Sequence, residues 1–99
     1  EQWITPSHDK HKREAIDQVL AWYPKSQAVL LGDDSQKDPE IYAQALVDYG
    51  PARIGKIFIR NVSGSLRAEQ VRARFETLNQ QHGSVAFLIN TTDEIHPHL

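Results

Sequence analysis

Three short apolar runs, Ala28-Val29-Leu30-Leu31, Ile57-Phe58-Ile59 and Val85-Ala86-Phe87-Leu88-Ile89, limit most strongly what this chain can fold into. Each is continuous rather than alternating and too short for a typical helix, the pattern of a strand covered on both faces. Stretches of helical period precede each run. Ala15, Ile16, Val19, Leu20 and Tyr23 repeat at that spacing until Pro24, and Ile41, Tyr42, Ala45, Leu46 and Tyr49 do so until Gly50-Pro51. Ala68, Val71, Phe75 and Leu78 form a third stripe that Gly83 closes. Thr5-Pro6-Ser7, Asp38-Pro39 and Ser63-Gly64-Ser65 are the expected helix starts. Residues 1–8 show no period, and residues 91–99 begin one more possible helix before Pro97 interrupts it.

The order α-β-α-β-α-β, joined by right-handed crossovers, predicts an α/β fold with a parallel sheet in a three-layer arrangement, half of a doubly wound, Rossmann-like fold. At 99 residues, 39% hydrophobic and 24% charged, the chain is one small domain spanning 1–99. It has no cysteine, which excludes disulfides and thiolate metal sites. No apolar run approaches the ~20 residues of a transmembrane segment, and the N-terminus lacks a signal-peptide layout, so a soluble, cytoplasmic protein is expected. A net charge of −2 argues against a nucleic-acid binder. Arg53, Lys56, Arg60, Arg67, Arg72 and Arg74 nevertheless meet only Glu69 within residues 53–74. Their spacing does not place all six on one surface, so a solvated helix face plus strand ends is the plainer reading, and an anion-binding patch the sharper one.

Asp33 and Asp34 follow the first apolar run, and Asp38 opens the next helical stretch. In an open parallel sheet the carboxyl ends of the strands form the ligand-binding rim. Carboxylates there suit Mg²⁺, which takes one or two protein carboxylates and keeps several waters. The same residues also serve as ordinary turn carboxylates, with Asp38-Pro39 as a helix N-cap.

The run Gly32-Asp33-Asp34-Ser35-Gln36-Lys37-Asp38-Pro39-Glu40-Ile41-Tyr42 carries a longer signature. It is preceded by His11-Lys12-Arg13-Glu14-Ala15-Ile16 and Tyr23-Pro24, and followed by Ile57-Phe58-Ile59-Arg60-Asn61-Val62. Across residues 8–62 this resembles phosphatidate phosphatases of the actin-patch-protein type, members of the haloacid dehalogenase superfamily and distant relatives of the lipins. Those proteins read HK-x-x-x-I, an aromatic-proline pair, LIGDSGQ-x-DPEIY and I-x-IRDV. The chain departs at Asp34, where serine is usual, and at Asn61, where aspartate is usual.

The resemblance implies a Mg²⁺-dependent phosphatase of the haloacid-dehalogenase-like fold. In it Lys12 neutralises phosphoryl oxygens, Asp33 ligates Mg²⁺ and Asp38 orients a metal-bound water, with Asp34 a further candidate ligand. The superfamily's nucleophile lies in an early D-x-D-x-T, and these 99 residues contain no D-x-D. The chain is therefore expected to be the C-terminal part of the catalytic domain, inactive alone, with an upstream segment supplying the nucleophile. Its partner is then a phosphate-bearing small molecule or lipid head group. A non-catalytic phosphate- or metal-binding module is the alternative. His8 with His11 and His96 with His98 form two-ligand pairs only, and Ser35, Ser63 and Ser65 have no convergent base in the sequence.

Overall fold

A computed structural model of the chain describes residues 1–4 and 11–99. Four strands, β1 (Gln2–Ile4), β2 (Ala28–Asp33), β3 (Ile54–Arg60) and β4 (Ala86–Ile89), pair in parallel in the order β1-β2-β3-β4. Three helices, α1 (Lys12–Trp22), α2 (Asp38–Tyr49) and α3 (Ser65–His82), connect them. The α/β class and the parallel sheet agree with the sequence reading, to which the structure adds β1. The expected start of α1 at Thr5-Pro6-Ser7 lies outside the described residues.

Strands taken in sequential order through crossovers of one hand place their helices on one side of the sheet. The core follows that geometry. Ile16 and Leu20 of α1, Tyr42, Ala45 and Leu46 of α2, and Val71, Phe75 and Leu78 of α3 pack with Ile4, Ala28, Leu30, Ile57, Ile59 and Ala86. A register shift between Ala28 and Val29 skips Gly55, so Ile54 and Ile57, three residues apart, both face this core. On the opposite face Val29, Phe58 and Ile89 are covered by the chain's last segment. There two 3-10 turns, Thr92–Glu94 and His96–His98, stand where a further helix was expected, and the His98 ring stacks 4.0 Å from that of Phe87. These turns form a thin third layer. No helix among the described residues is long and apolar enough to cross a membrane.

The β4 edge is blunted by side chains. Asn79 Nδ2 donates to the Ala86 carbonyl at 2.9 Å, while Asn79 Oδ1 accepts from the Val85 and Ala86 amides at 3.0 and 2.8 Å. Glu94 Oε2 accepts from Asn90 and Thr91 just past the strand, at 2.6 and 2.7 Å. Such occupation of edge groups opposes the addition of another strand. Asn79→Ala strips partners from three backbone groups, and should cost about 1–3 kcal/mol. Chemical denaturation measures it, and an unchanged midpoint would show the edge bonds to be energetically idle.

Candidate phosphate-and-metal site

The site forms at the carboxyl end of β2, where the strand, the loop 34–37 and the starts of α1 and α2 converge. Lys12 is the first residue of α1 and Asp38 the first of α2. Both are buried, at 8% and 1% exposure. The Lys12 ammonium donates to Asp38 Oδ1 and, at 2.6 Å, to Gln36 Oε1. Asp38 Oδ2 accepts from the Asp33 amide at 3.3 Å. Asp38 is therefore not the N-cap its Asp-Pro pair predicted, since Lys37 holds that position and no side chain caps α2. Its carboxylate turns inward to the lysine.

Gly32 makes this closeness possible. A Cβ there would lie 2.7 Å from Asp38 Oδ2 and 2.9 Å from Tyr42 Cε2, distances that real Cβ atoms do not adopt. Tyr42, one helical turn beyond Asp38, returns its hydroxyl to the Leu31 carbonyl at 2.8 Å. Burial, with the charges of Asp38 and Asp33, pushes the Tyr42 phenol well above its ordinary pKa, so it stays a neutral donor.

Asp33 is half-buried, and its Oδ1 accepts from the Ser35 amide at 2.9 Å and the Ser35 hydroxyl at 2.5 Å. Desolvation raises its pKa, but those two hydrogen bonds and the charges of Lys12 and Arg60 outweigh it and hold the carboxyl below its ordinary value. Both bonds from Ser35 fall on one oxygen.

Asp34 is not brought to this group. Its Oδ1 accepts from the Val62 and Ser63 amides, each at 2.9 Å, and ties the β2 exit to the turn after β3. Among the described residues no group of three or more His, Cys, Asp or Glu is placed to hold a metal. The pair His8 and His11 includes a residue outside those described, and His98 is engaged in ring stacking.

The basic cluster is dispersed. Arg53 donates to the Leu20 and Tyr23 carbonyls at the end of α1, Lys56 to the Ser84 carbonyl, and Arg67 to the loop 34–37. Gln36 and Arg67 are the site residues that sequence reasoning missed. Gln36 sat inside the family signature, whereas nothing in the sequence singled out Arg67 among its basic neighbours. A cleft of about 180 Å³ opens beside Asp33, walled by Leu31, Phe58, Ile89 and Ile95 with Arg60 alongside. The larger hollow, about 610 Å³, lies at the β4 edge against α3 and contains none of these site residues. We take the smaller one as the opening relevant to Asp33.

The fold is thus a parallel α/β sheet with a buried lysine–carboxylate pair and a second carboxylate at its carboxyl rim, the edge where ligands bind in open sheets of this kind. The family model "Phosphatidate phosphatase APP1, catalytic domain" matches residues 1–61, and the chain belongs to that family. Among the curated proteins and the solved structures nothing matches.

Removing one partner of a buried ion pair strands the other charge at ~3–5 kcal/mol, whereas replacing both with apolar groups is far less costly. Lys12→Met and Asp38→Leu should each destabilise by about that amount, and the double variant by clearly less than their sum. Additive losses in a double-mutant cycle of unfolding free energies would mean the pair is not coupled.

The depressed Asp33 pKa stabilises the fold at pH values above the ordinary carboxyl value of 3.8, and that contribution is lost as pH falls through the lower folded value. Ser35→Ala removes the hydroxyl bond and should move the Asp33 titration upward. Carbon-detected NMR of the carboxyl group would show this, and an unmoved titration would dismiss Ser35 as its cause.

Proposed function

We propose that this chain supplies the lysine and metal-binding part of a Mg²⁺-dependent phosphomonoester phosphatase of the phosphatidate phosphatase type. The substrate class is a phosphate-bearing small molecule or lipid head group, and a segment outside these 99 residues contributes the nucleophile. The observation that carries the proposal is the buried Lys12 ammonium, held by Asp38 and Gln36 one residue-contact away from Asp33 at the strand end.

The donor chemistry fits the ion. Asp33 keeps one carboxylate oxygen outside its bonds with Ser35, and a hard cation binds such an oxygen with several retained waters. Both Asp38 oxygens already face protein donors, which suits it to orient a metal-bound water rather than to ligate directly. A bound Mg²⁺ would polarise phosphoryl oxygens. Lys12 places a positive charge where a transferring phosphoryl group spreads its negative charge, and Asp38 keeps that ammonium fixed. Lys12, Asp33 and Asp38 thus bind and orient. None of them is assigned the covalent step.

Millimolar Mg²⁺ should shift the NMR signals of residues 32–38 and of Lys12 in a saturable manner, leave residues 84–89 unmoved, and lose this effect in Asp33→Asn. A saturable response that survives the substitution would remove Asp33 from the site. The chain alone should not hydrolyse phosphomonoesters, because the covalent route needs its nucleophile. The alternative of a binding-only module gives the same titration, but no turnover when the native sequence preceding Glu1 is joined to it.

A further inference from the structure

We infer that Arg67, from the first turn of α3, is a positioning residue that holds the loop 34–37 and through it the carboxylate of Asp33 and the ammonium of Lys12. Arg67 Nε donates to the Asp34 carbonyl at 3.1 Å, and Nη2 to the Gln36 carbonyl at 3.0 Å. Nη2 also meets both oxygens of Glu40 in the first turn of α2, Oε2 at 2.9 Å. One planar guanidinium thereby touches the backbone on either side of Ser35, the residue whose amide and hydroxyl orient Asp33.

The loop is anchored at its two ends: the Asp34 amide donates to the Arg60 carbonyl at 3.2 Å, the Asp34 carboxylate accepts from the Val62 and Ser63 amides, and the Lys37 carbonyl accepts from the Ile41 amide at 3.0 Å. Between those ends Ser35, Gln36 and Lys37 are exposed, and Arg67 is what ties the carbonyls of residues 34 and 36 to α3. Yet Gln36 must present its side-chain oxygen to Lys12, and Ser35 its two donors to Asp33. Fixing the carbonyls of residues 34 and 36 fixes the peptide planes between them, and with these the Ser35 amide. Lysine cannot replace this, since a point charge lacks the rigid fork that reaches two carbonyls and a carboxylate together. Arg67 lies beyond residues 1–61, where the family model matches, so this support comes from a part of the chain the family signature does not include. The inference rests on the proposed function only for its link to the metal.

The test compares Arg67→Lys with Glu40→Gln in the metal-free chain and then under Mg²⁺. Arg67→Lys keeps a cation for Glu40 but should release the two carbonyls, speeding hydrogen exchange at the Ser35 amide about tenfold or more while α2 and β3 amides keep their protection. Glu40→Gln keeps the carbonyl contacts and should leave Ser35 exchange unchanged, whatever it does to the denaturation midpoint. With Mg²⁺, Arg67→Lys should raise the concentration at half-saturation several-fold, and Glu40→Gln should not. Unaltered Ser35 exchange in Arg67→Lys overturns the inference without reference to any metal. Faster exchange with an unchanged Mg²⁺ midpoint overturns the link from loop to site, and a global loss of the folded spectrum in Arg67→Lys makes the residue merely structural. Absence of any Mg²⁺ response in the unsubstituted chain defeats the proposed function instead, leaving the exchange result to decide the role of Arg67.

Discussion

The placement of Lys12 at the rim of this sheet depends on one buried ion pair, with Asp38. Lys12 occupies the first residue of α1, where the helix macrodipole is positive and a cation is disfavoured. Burial adds a desolvation cost on top. Asp38 offsets both, and it sits at the first residue of α2, where the dipole favours an anion. Two helix starts of the same polarity therefore meet at one place, with a lysine of unfavourable sign held there by an aspartate of favourable sign. A lysine so placed depends on its carboxylate partner in a way that an exposed helix lysine would not.

The sequence made the sheet and helices legible because their apolar patterns are long or continuous. β1 escaped because three residues give no period, and Trp3 remains largely exposed while only Ile4 enters the core. The Gly55 bulge was also invisible, although it is the reason Ile54 and Ile57 share a face. At the site, resemblance indicated Lys12, Asp33 and Asp38, while local rules misassigned Asp38 as a cap. An Asp-Pro pair states a preference of about 1 kcal/mol, whereas leaving the buried Lys12 without its carboxylate would cost about 3–5 kcal/mol. Tertiary contact won.

Asp34 shows the opposite limit. Adjacent aspartates after a strand point in different directions, so Asp33 looks to Ser35 and the rim, whereas Asp34 looks to Val62 and Ser63. Spacing placed them in one cluster, but the side-chain alternation of a strand end separates them. The carboxylate of Asp34 became a brace between two loops. Its second oxygen and the side-chain oxygen of Asn61 are buried with no hydrogen-bond partner among the described residues, so this brace is incompletely satisfied.

Asp34 and Asn61 also lie apart from the contacts that hold Lys12. The signature from Gly32 through Asp38 to Tyr42 is a single stacked contact: no room for a Cβ at Gly32, the Asp38 carboxylate above it, and the Tyr42 ring behind with its hydroxyl on Leu31. Any change within that stack moves the carboxylate that holds Lys12. Asp34 and Asn61 stand outside it, at the junction of the β2 and β3 exits, where the backbone amides of residues 62 and 63 donate to Asp34 Oδ1. The spacing from Gly32 to Tyr42 is thus a packing constraint written along the chain, since each of its fixed points, Gly32, Asp38 and Tyr42, touches the next.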